Sequence, residues 1–242
     1  MDNIKTSAIK WITTTKLLSL PRRYIGSIAM YCTAAIRIHS FYSNPTNAHV
    51  LNILKKIKKE TEMLLNDFEA NQIYMAVKKT EKIEGDIAEV GVYKGGSAKL
   101  MCETTKKKSI HLFDTYEGLP DVSDTESQKQ FKKGEYIATL DYVKNCLKKY
   151  ARVYFYKGFF PATSTPVKSK KFSFVHLDVD IYESTRSCLA FFYPRMSRGG
   201  ILISHDYPGS KGVKRAFDEF FKDKPEIIVE VPVCDQCLIV KL

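Results

Sequence analysis

Cysteine is sparse in this chain, with 6 residues scattered among 242. Such a set does not supply the framework of a disulfide-rich secreted domain, and it fits a reducing compartment. Cys234 and Cys237 form a C-x-x-C motif, but no second pair of ligands lies near it, as a zinc site would require. The motif opens a predicted strand, whereas a thioredoxin-like redox pair lies at a helix N-terminus. We therefore expect both cysteines to be structural.

Long apolar runs are also missing. Residues 9–20 are interrupted by threonines and Lys16, so they do not match the apolar core of a secretory signal. Residues 24–36 are moderately apolar but shorter than the ~20 residues that a membrane-spanning helix needs. We expect a cytoplasmic protein. Apolar residues still make up 44% of the chain, enough for one large α/β domain with an N-terminal addition.

Acidic residues are outnumbered 27 to 38 by lysine and arginine, which gives a net charge of +11. Such a charge attracts anions: nucleic acid, acidic lipid or a phosphorylated sugar. The lysines, however, occur in short scattered runs, and aromatic residues do not alternate with them as in a single-strand binding surface. A solvated lysine-rich surface explains the charge better, and we expect no nucleic-acid partner.

The N-terminal segment is the most one-sided in charge. Residues 1–50 carry six Lys or Arg side chains and one acid, Asp2. A basic amphipathic segment can lie on an anionic membrane surface. We favour a helical arm that packs on the domain or on a second subunit. A homo-oligomer is therefore expected, with peripheral membrane contact as the second interpretation.

The pattern divides the chain into an N-terminal helical extension, residues 1–80, and a domain of residues 81–242. Apolar spacing predicts helices over 4–38, with a break near Pro21, and over 48–63 and 66–81. From residue 86 strands and helices alternate. The predicted strands are 87–90, 109–113, 153–156, 172–177, 200–204, 227–231 and 238–240, and the predicted helices among them are 97–104, 140–150, 183–192 and 213–221.

This alternation indicates an α/β fold with a Rossmann-like, doubly wound, mostly parallel seven-stranded sheet. No helix separates the last two strands, so they form a C-terminal antiparallel hairpin, and N-terminal helices precede the sheet. Ligands of such sheets bind at the C-terminal ends of the strands.

A glycine-rich turn follows the first strand, in the sequence EVGVYKGGS at 89–97. Glycines let the backbone turn tightly and approach a ligand closely. The pattern is not G-x-G-x-x-G, and the acid at the strand end, Glu89, suits a cationic ligand or an ammonium group better than a pyrophosphate. An ordinary strand-to-helix turn explains this motif alone equally well.

The second strand ends at Asp114, about twenty residues beyond the glycine turn. An acid there is the ribose ligand of nucleoside-binding Rossmann-like folds, although it could instead cap the next turn. NAD and S-adenosylmethionine both satisfy this arrangement. The unusual glycine pattern, Glu89 and the closing hairpin favour S-adenosylmethionine.

Two later strands place acidic and imidazole side chains at the same edge of the sheet. Asp178 follows one of them, and His205 and Asp206 follow the next. Carboxylates grouped at a strand edge can hold a hard cation or accept a proton.

Four motifs in this order resemble the macrocin O-methyltransferase family. They are EVGVYKGGS at 89–97, FDTYEGLP at 113–120, LDVDIYEST at 177–185 and SHDY at 204–207. The resemblance covers about residues 80–242. It implies an S-adenosylmethionine-dependent, Mg²⁺-dependent enzyme that methylates a sugar hydroxyl of a glycan or glycosylated metabolite.

The resemblance also implies roles in cofactor binding. Glu89, Gly91 and Ser97 would line the methionine end of S-adenosylmethionine. The remaining predicted cofactor contacts are Tyr93 and Gly95 in the same turn, Asp114 at the ribose, and Gly158 and Phe159 beside the adenine. For the segment around Gly158 an ordinary turn is the alternative.

Asp178, His205 and Asp206 match the family's metal positions, with Mg²⁺ or another divalent cation as the metal. Many relatives have two acids where this chain has His205 and Asp206, and imidazole suits transition metals better than Mg²⁺. Asp178 and Asp206 alone would still make a Mg²⁺ site. Asp178 is also the predicted general base for the sugar hydroxyl. Asp180 and Glu183 are second candidates, although Glu183 fits a helix N-terminus better.

Two other functions stay open on sequence alone. One is a nucleic-acid methyltransferase, suggested by the charge, although the Asn-Pro-aromatic motif of amino methylation is absent. The other is a non-catalytic, basic membrane-surface protein with a degenerate Rossmann-like core. His111 and His176 are expected in the core or in support of the site. The polar segment 116–137 is a candidate lid.

Overall fold

The computed structural model describes residues 39–120, 132–232 and 234–242. The chain forms two compact units, residues 1–51 and residues 52–242. The helices predicted over 4–38 lie outside the described residues, as do residues 121–131 of the candidate lid. The predicted division at residue 80 stays a prediction.

The described helices and strands follow the predicted order. The helices are α1 Ala48–Glu60, α2 Asp67–Lys79, α3 Gly96–Thr104, α4 Leu140–Leu147, α5 Tyr182–Phe192 and α6 Lys211–Phe221. The strands are β1 Asp86–Val90, β2 Ile110–Asp114, β3 Val153–Lys157, β4 Phe172–Leu177, β5 Met196–His205, β6 Val229–Glu230 and β7 Gln236–Val240. Short 3₁₀ helices cover Pro45–Asn47, Ala162–Val167 and Tyr193–Arg195.

The seven strands form one sheet in the order β3-β2-β1-β4-β5-β7-β6. β1 to β5 pair in parallel, while β7 runs antiparallel to both β5 and β6. The predicted fold class and its C-terminal hairpin are therefore confirmed. The strand order reverses between β1 and β4, which makes a crevice at the C-terminal ends of these two strands.

β5 begins earlier than predicted, at Met196 instead of residue 200. The pairing with β4 shifts register between Phe172 and Phe174, and Gly199 has a φ of +79° there. Gly199 and Gly200 therefore lie in a bulge inside the strand, whereas the predicted strand began at residue 200.

The middle of the sheet is buried on both faces. All six residues of β4 are buried, as expected for a parallel strand with helices on either side. Phe172 and Leu177 of β4 share one core cluster with Leu189 of α5 and Phe217 of α6. This packing holds the ends of β1, β4 and β5 in a fixed relation.

α2 begins with a capping box that places an acid near those strand ends. The Asn66 side chain accepts hydrogen bonds from the N–H groups of Phe68 and Glu69. In return, Glu69 Oε2 accepts the N–H of Asn66 at 2.9 Å. The arrangement satisfies N–H groups that a helix start otherwise leaves unpaired.

Candidate active site

A cavity of about 240 Å³ opens at the C-terminal ends of β1, β2, β4 and β5. It brings together most of the residues predicted for the site. Those among its lining residues are Gly91, Tyr93, Ser97, Asp114, Gly158, Phe159, Asp178, His205 and Asp206. Within the described residues, the predicted contacts Glu89 and Gly95 lie outside this lining.

Gly91 sits where β1 meets β4. Its N–H donates to Phe113 O at 3.0 Å, and Asp178 N–H donates to Val90 O at 2.9 Å. Its φ is +86°, and a Cβ at this position would lie 1.7 Å from the Asp178 carbonyl oxygen. A side chain at position 91 is therefore excluded both by the positive φ and by steric overlap with the Asp178 carbonyl oxygen. Glycine here is what lets Asp178 lie beside the turn.

Asp114 ties the glycine turn to the end of β2. Its Oδ2 accepts the N–H groups of Val92 at 2.7 Å and Tyr93 at 3.1 Å. Its Oδ1 accepts the N–H of Tyr116 at 2.6 Å, so it also caps the turn after β2. Thr115 Oγ1 lies 3.5 Å from Oδ1, but its single hydroxyl proton has a closer acceptor in Gly118 O at 2.8 Å. A carboxylate offers about four lone-pair sites, so one stays open to another donor. The predicted ribose contact is compatible with this arrangement and stays a prediction.

The N-terminus of α3 faces the cavity without a side-chain cap. Gly95, at the N-cap, has a φ of +78° and offers no side-chain hydrogen bond. Gly96 and Ser97 line the cavity. Uncapped N–H groups at a helix N-terminus bind carboxylates and other anions. Gly95 thus shapes the turn although it does not itself line the cavity.

Glu89 lies beneath the cavity, fully buried in β1. Its Oε1 is 2.9 Å from His176 Nδ1 on β4. Glu89 Oε2 and His176 Nε2 have no hydrogen-bond partner among the described residues. Burial raises the pKa of Glu89, although His176 opposes that rise. His176 is a core residue, as expected, and the cofactor contact of Glu89 stays a prediction.

His111 is the other strand histidine, and it is also buried. One ring nitrogen is 2.9 Å from Asp86 Oδ2 and the other is 2.9 Å from Tyr156 Oη. Neither Asp86 nor Tyr156 is among the lining residues, although Tyr156 stacks on the lining residue Phe113. The burial of His111 agrees with the expected role in the core or in support of the site.

Asp178, His205 and Asp206 form a compact cluster at the cavity floor. Each offers a ligand atom, and these atoms all lie within 4.8 Å of one another. His205 Nδ1 is 3.2 Å from Asp206 Oδ1 and 3.5 Å from Asp178 Oδ1. The predicted metal residues are thus brought together, although metal binding itself stays a prediction.

The charges in this cluster are not balanced. Burial raises the pKa of Asp178, and the Asp206 carboxylate adds to the rise while His205 opposes it. Burial and the carboxylates of Asp178 and Asp206 raise the pKa of Asp180 well above its ordinary value. Burial would lower the pKa of His205, but its acidic neighbours raise it to about 12. Without a cation, the carboxylates keep the imidazole protonated.

The cavity as a whole is acidic, in contrast to the net charge of +11. Among the described residues its lining contains no lysine or arginine. The acids in the lining are Glu62, Asp114, Asp178, Asp180 and Asp206. This environment favours a cationic or neutral ligand over a polyanion.

Several site residues carried no recognisable signal in the sequence. The loop between α1 and α2 lines the cavity through residues 62–65. It approaches closely because Gly96 leaves space; a Cβ there would lie 2.6 Å from Met63 Cβ. Glu69 lies 3.5 Å from His205 Nε2. Its capping motif predicts the start of a helix and gives no indication of this long-range contact.

These features define a class of protein. The parallel sheet closed by an antiparallel hairpin, the glycine turn with an acid on the next strand, and the acidic cluster beside them are those of a Rossmann-like methyltransferase fold. The chain belongs to the macrocin-O-methyltransferase (TylF) family, whose model matches residues 65–239. The predicted family is therefore confirmed.

Two curated relatives are similar to this chain. One, 30% identical over 140 residues, is 8-demethyl-8-(2,3-dimethoxy-alpha-L-rhamnosyl)-tetracenomycin-C 4'-O-methyltransferase of Streptomyces olivaceus, and the match covers 52% of this chain and 54% of that protein. The other, 25% identical over 191 residues, is demethyldecarbamoylnovobiocin O-methyltransferase of Streptomyces niveus, with 73% and 69% covered. The chain thus spans about half the length of the first relative.

A solved structure has the same fold. The O-methyltransferase NovP superposes with a TM-score of 0.64 at 24% identity, over 71% of this chain and 78% of that chain. At this identity the likeness shows the fold.

Proposed function

We propose that this protein is an S-adenosylmethionine-dependent O-methyltransferase that uses a divalent cation to methylate a sugar hydroxyl of a glycan or glycosylated metabolite. The observation that carries the proposal is the cluster of Asp178, His205 and Asp206, whose ligand atoms lie within 4.8 Å of one another beside the glycine turn. Membership of the macrocin-O-methyltransferase family supports the reaction type.

The cavity suits each part of S-adenosylmethionine. The uncapped N-terminus of α3 can bind the carboxylate of its methionine moiety. The acidic lining suits its sulfonium and ammonium charges. Asp114 retains capacity for a ribose hydroxyl. Phe159, whose side chain is 59% exposed, and Phe160 offer an aromatic wall for the adenine.

Methyl transfer joins the sugar oxygen to the methyl carbon and breaks the bond between that carbon and sulfur, releasing S-adenosylhomocysteine. The hydroxyl must also lose its proton, because a neutral alcohol is a weak nucleophile. Asp178 has two carboxylate oxygens, so one can accept this proton while the other faces the cluster. General base catalysis contributes roughly 10²–10⁴-fold, and alignment of the two reactants contributes about 7–11 kcal/mol.

The residues present fit a divalent cation. Two carboxylates and an imidazole in one compact group, with excess negative charge, are a donor set that divalent metals accept. Asp178, His205 and Asp206 would hold the cation, and it would stabilise the negative charge that develops on the sugar oxygen.

The substrate class rests on charge and on the relatives. The acidic cavity lining disfavours a polyanionic acceptor, which counts against the nucleic-acid alternative. The relative from Streptomyces olivaceus is named for methylating the 4'-oxygen of a rhamnosyl tetracenomycin. By analogy we propose a sugar hydroxyl on a metabolite or glycan as the acceptor.

The non-catalytic alternative depends on residues outside the described part of the chain. Among the described residues, no helix has the length and apolarity needed to cross a bilayer. We retain the cytoplasmic location, the homo-oligomer and a peripheral membrane contact of the basic N-terminus as predictions only.

The proposal is tested by supplying methyl-labelled S-adenosylmethionine with a panel of glycosides, nucleotide sugars and RNA. We expect label on a sugar oxygen, and we expect EDTA to lower the rate by roughly 100-fold, equal to about 2.7 kcal/mol in activation free energy. MgCl₂ or MnCl₂ should restore it. Labelled RNA with a rate indifferent to EDTA would favour the nucleic-acid alternative, and failure to bind S-adenosylhomocysteine in calorimetry would favour the non-catalytic one.

A second prediction concerns Asp114. We expect Asp114→Asn to weaken S-adenosylhomocysteine binding by roughly tenfold, about 1.4 kcal/mol. The amide replaces one acceptor oxygen with a donor, so either the N–H groups of the glycine turn or the N–H of Tyr116 lose their acceptor. Calorimetry measures the change, and Asp141→Asn is the control, since Asp141 is an exposed acid of α4. Equal affinities in the two variants would remove Asp114 from the binding site.

A further inference from the structure

His205 has a carboxylate on each side of its imidazole ring. Nδ1 faces Asp206 Oδ1 at 3.2 Å and Asp178 Oδ1 at 3.5 Å. Nε2 lies 3.5 Å from Glu69 Oε2. Nε2 is buried and has no hydrogen-bond partner among the described residues, so its contact with Glu69 is an ion pair. The ring therefore lies between the two aspartates of the cluster and a third carboxylate, Glu69 of α2.

Glu69 is held in place independently of His205. The side chain belongs to a residue only 5% exposed. Its Oε1 accepts the N–H of Asp235, which lies between the two strands of the final hairpin, at 3.1 Å. Its Oε2 accepts the N–H of Asn66 at 2.9 Å. Both donors are backbone groups of different segments. The position of the Glu69 carboxylate is thus set by the backbone, and we expect the His205 ring to orient toward it.

We infer that Glu69 positions His205 so that Nδ1 serves as a nitrogen ligand, which gives the centre of Asp178, His205 and Asp206 a preference for Mn²⁺ or Co²⁺ over Mg²⁺. This inference rests on the proposed function in one respect, namely that the cation binds at this centre.

The chemistry of the metal ligands supports both the positioning of His205 by Glu69 and the preference for Mn²⁺ or Co²⁺. A histidine that binds a metal through one nitrogen usually donates the other N–H to a carboxylate, which fixes the tautomer and the ring orientation. Here Glu69 faces Nε2, so the lone pair of Nδ1 is directed at the two aspartates. Mg²⁺ prefers oxygen ligands in a strict octahedron, whereas imidazole suits the transition metals.

The experiment measures metal binding directly on the full chain. Calorimetry with MnCl₂ and with MgCl₂, each with S-adenosylhomocysteine present, compares the wild type with three variants. Pulsed electron paramagnetic resonance on the Mn²⁺ complex then detects coupling to a ligand ¹⁴N nucleus. Neither readout depends on turnover.

We expect the wild type to bind Mn²⁺ at least roughly tenfold more tightly than Mg²⁺, with ¹⁴N coupling. His205→Asp should remove the coupling and lower that ratio by roughly tenfold, since it supplies an oxygen ligand. Glu69→Gln should weaken Mn²⁺ binding by roughly 10–100-fold.

Asn66→Ala is the matched control. It removes the capping side chain of the same helix start, so it lowers stability as a change at Glu69 does, but the backbone N–H of Asn66 still holds Glu69. Its Mn²⁺ affinity should stay within about twofold of the wild type. If Glu69→Gln does not fold, Glu69→Asp tests the same contact, because it withdraws the carboxylate and keeps its charge.

Equal wild-type affinities for Mn²⁺ and Mg²⁺, or a Mn²⁺ complex without ¹⁴N coupling, would overturn the inference. So would wild-type Mn²⁺ affinity in a folded variant at Glu69. Failure of the inference can be told apart from failure of the proposed function. If Mn²⁺ binds with a nitrogen ligand but no sugar is methylated, the inference holds and the proposed reaction is refuted. If a sugar is methylated but the centre does not prefer Mn²⁺, the proposed reaction holds and the inference is refuted.

Discussion

Replacing Gly91 with alanine is expected to abolish S-adenosylhomocysteine binding and to destabilise the fold by on the order of 3 kcal/mol. The new Cβ would lie 1.7 Å from the Asp178 carbonyl oxygen, and φ is +86°. Either the glycine turn or the end of β4 must therefore move, and both line the cavity. Calorimetry should show at least a roughly 100-fold loss of affinity, and thermal unfolding should show a lower Tm.

Gly134→Ala is the matched control for this change. Gly134 also has a positive φ, +80°, but a Cβ there meets nothing within 4 Å. The Gly134→Ala variant therefore carries only the conformational penalty of about 1–2 kcal/mol. Its ligand affinity should fall far less than that of Gly91→Ala, although Gly134 belongs to the candidate lid. Wild-type affinity in Gly91→Ala would mean that the contact between β1 and β4 is not needed for the cavity.

The sequence allows the sheet and most of its edge to be predicted because those features are local. Gly91, Asp114 and Asp178 each stand at the end of a short, largely apolar run, where a strand gives way to a turn. The parallel sheet then brings these positions to one edge. The antiparallel hairpin follows equally locally, from two strand patterns with no helix between them.

Contacts between distant segments could not be predicted in this way. Glu69 lies near His205 only because α2 packs beside the strand ends. A capping box has the same sequence wherever its helix packs, so it predicts the helix start but not this contact. The pairing of Glu89 with His176 is another such contact, between β1 and β4; Glu89 is fully buried there, and its cofactor contact stays a prediction.

The contrast between overall charge and cavity charge has a related cause. Lysines are spread along the whole sequence, so the composition gives +11. The acids of the lining come from separate segments, among them Glu62, Asp114 and Asp206, that only the fold brings together. The net charge of the chain therefore indicates how strongly its surface attracts anions, whereas the local charge of the cavity lining decides which ligand the cavity accepts.

Replacing Asp178 with asparagine is expected to lower kcat by roughly 10²–10⁴-fold while S-adenosylhomocysteine binding stays within about threefold. Asparagine has nearly the same shape and keeps the backbone bond from residue 178 to Val90 O. It loses the charge that would accept the hydroxyl proton and hold a cation. Single-turnover transfer of a labelled methyl group, with calorimetry on the same sample, separates chemistry from binding.

Glu183→Gln supplies the control for this loss. Glu183 lies in the first turn of α5, five residues after Asp178, and pairs on the surface with Arg186 at 3.1 Å. Its side chain is 52% exposed, so removing its charge should change kcat by less than about twofold. If Asp178→Asn keeps wild-type turnover while Glu183→Gln loses it, the proton acceptor lies at the start of α5 and the cluster at the cavity floor has another role. Loss in Asp178→Asn alone, with cofactor binding intact, places the charge that methyl transfer requires, as proton acceptor or cation ligand, at Asp178, which Gly91 allows to lie beside the glycine turn.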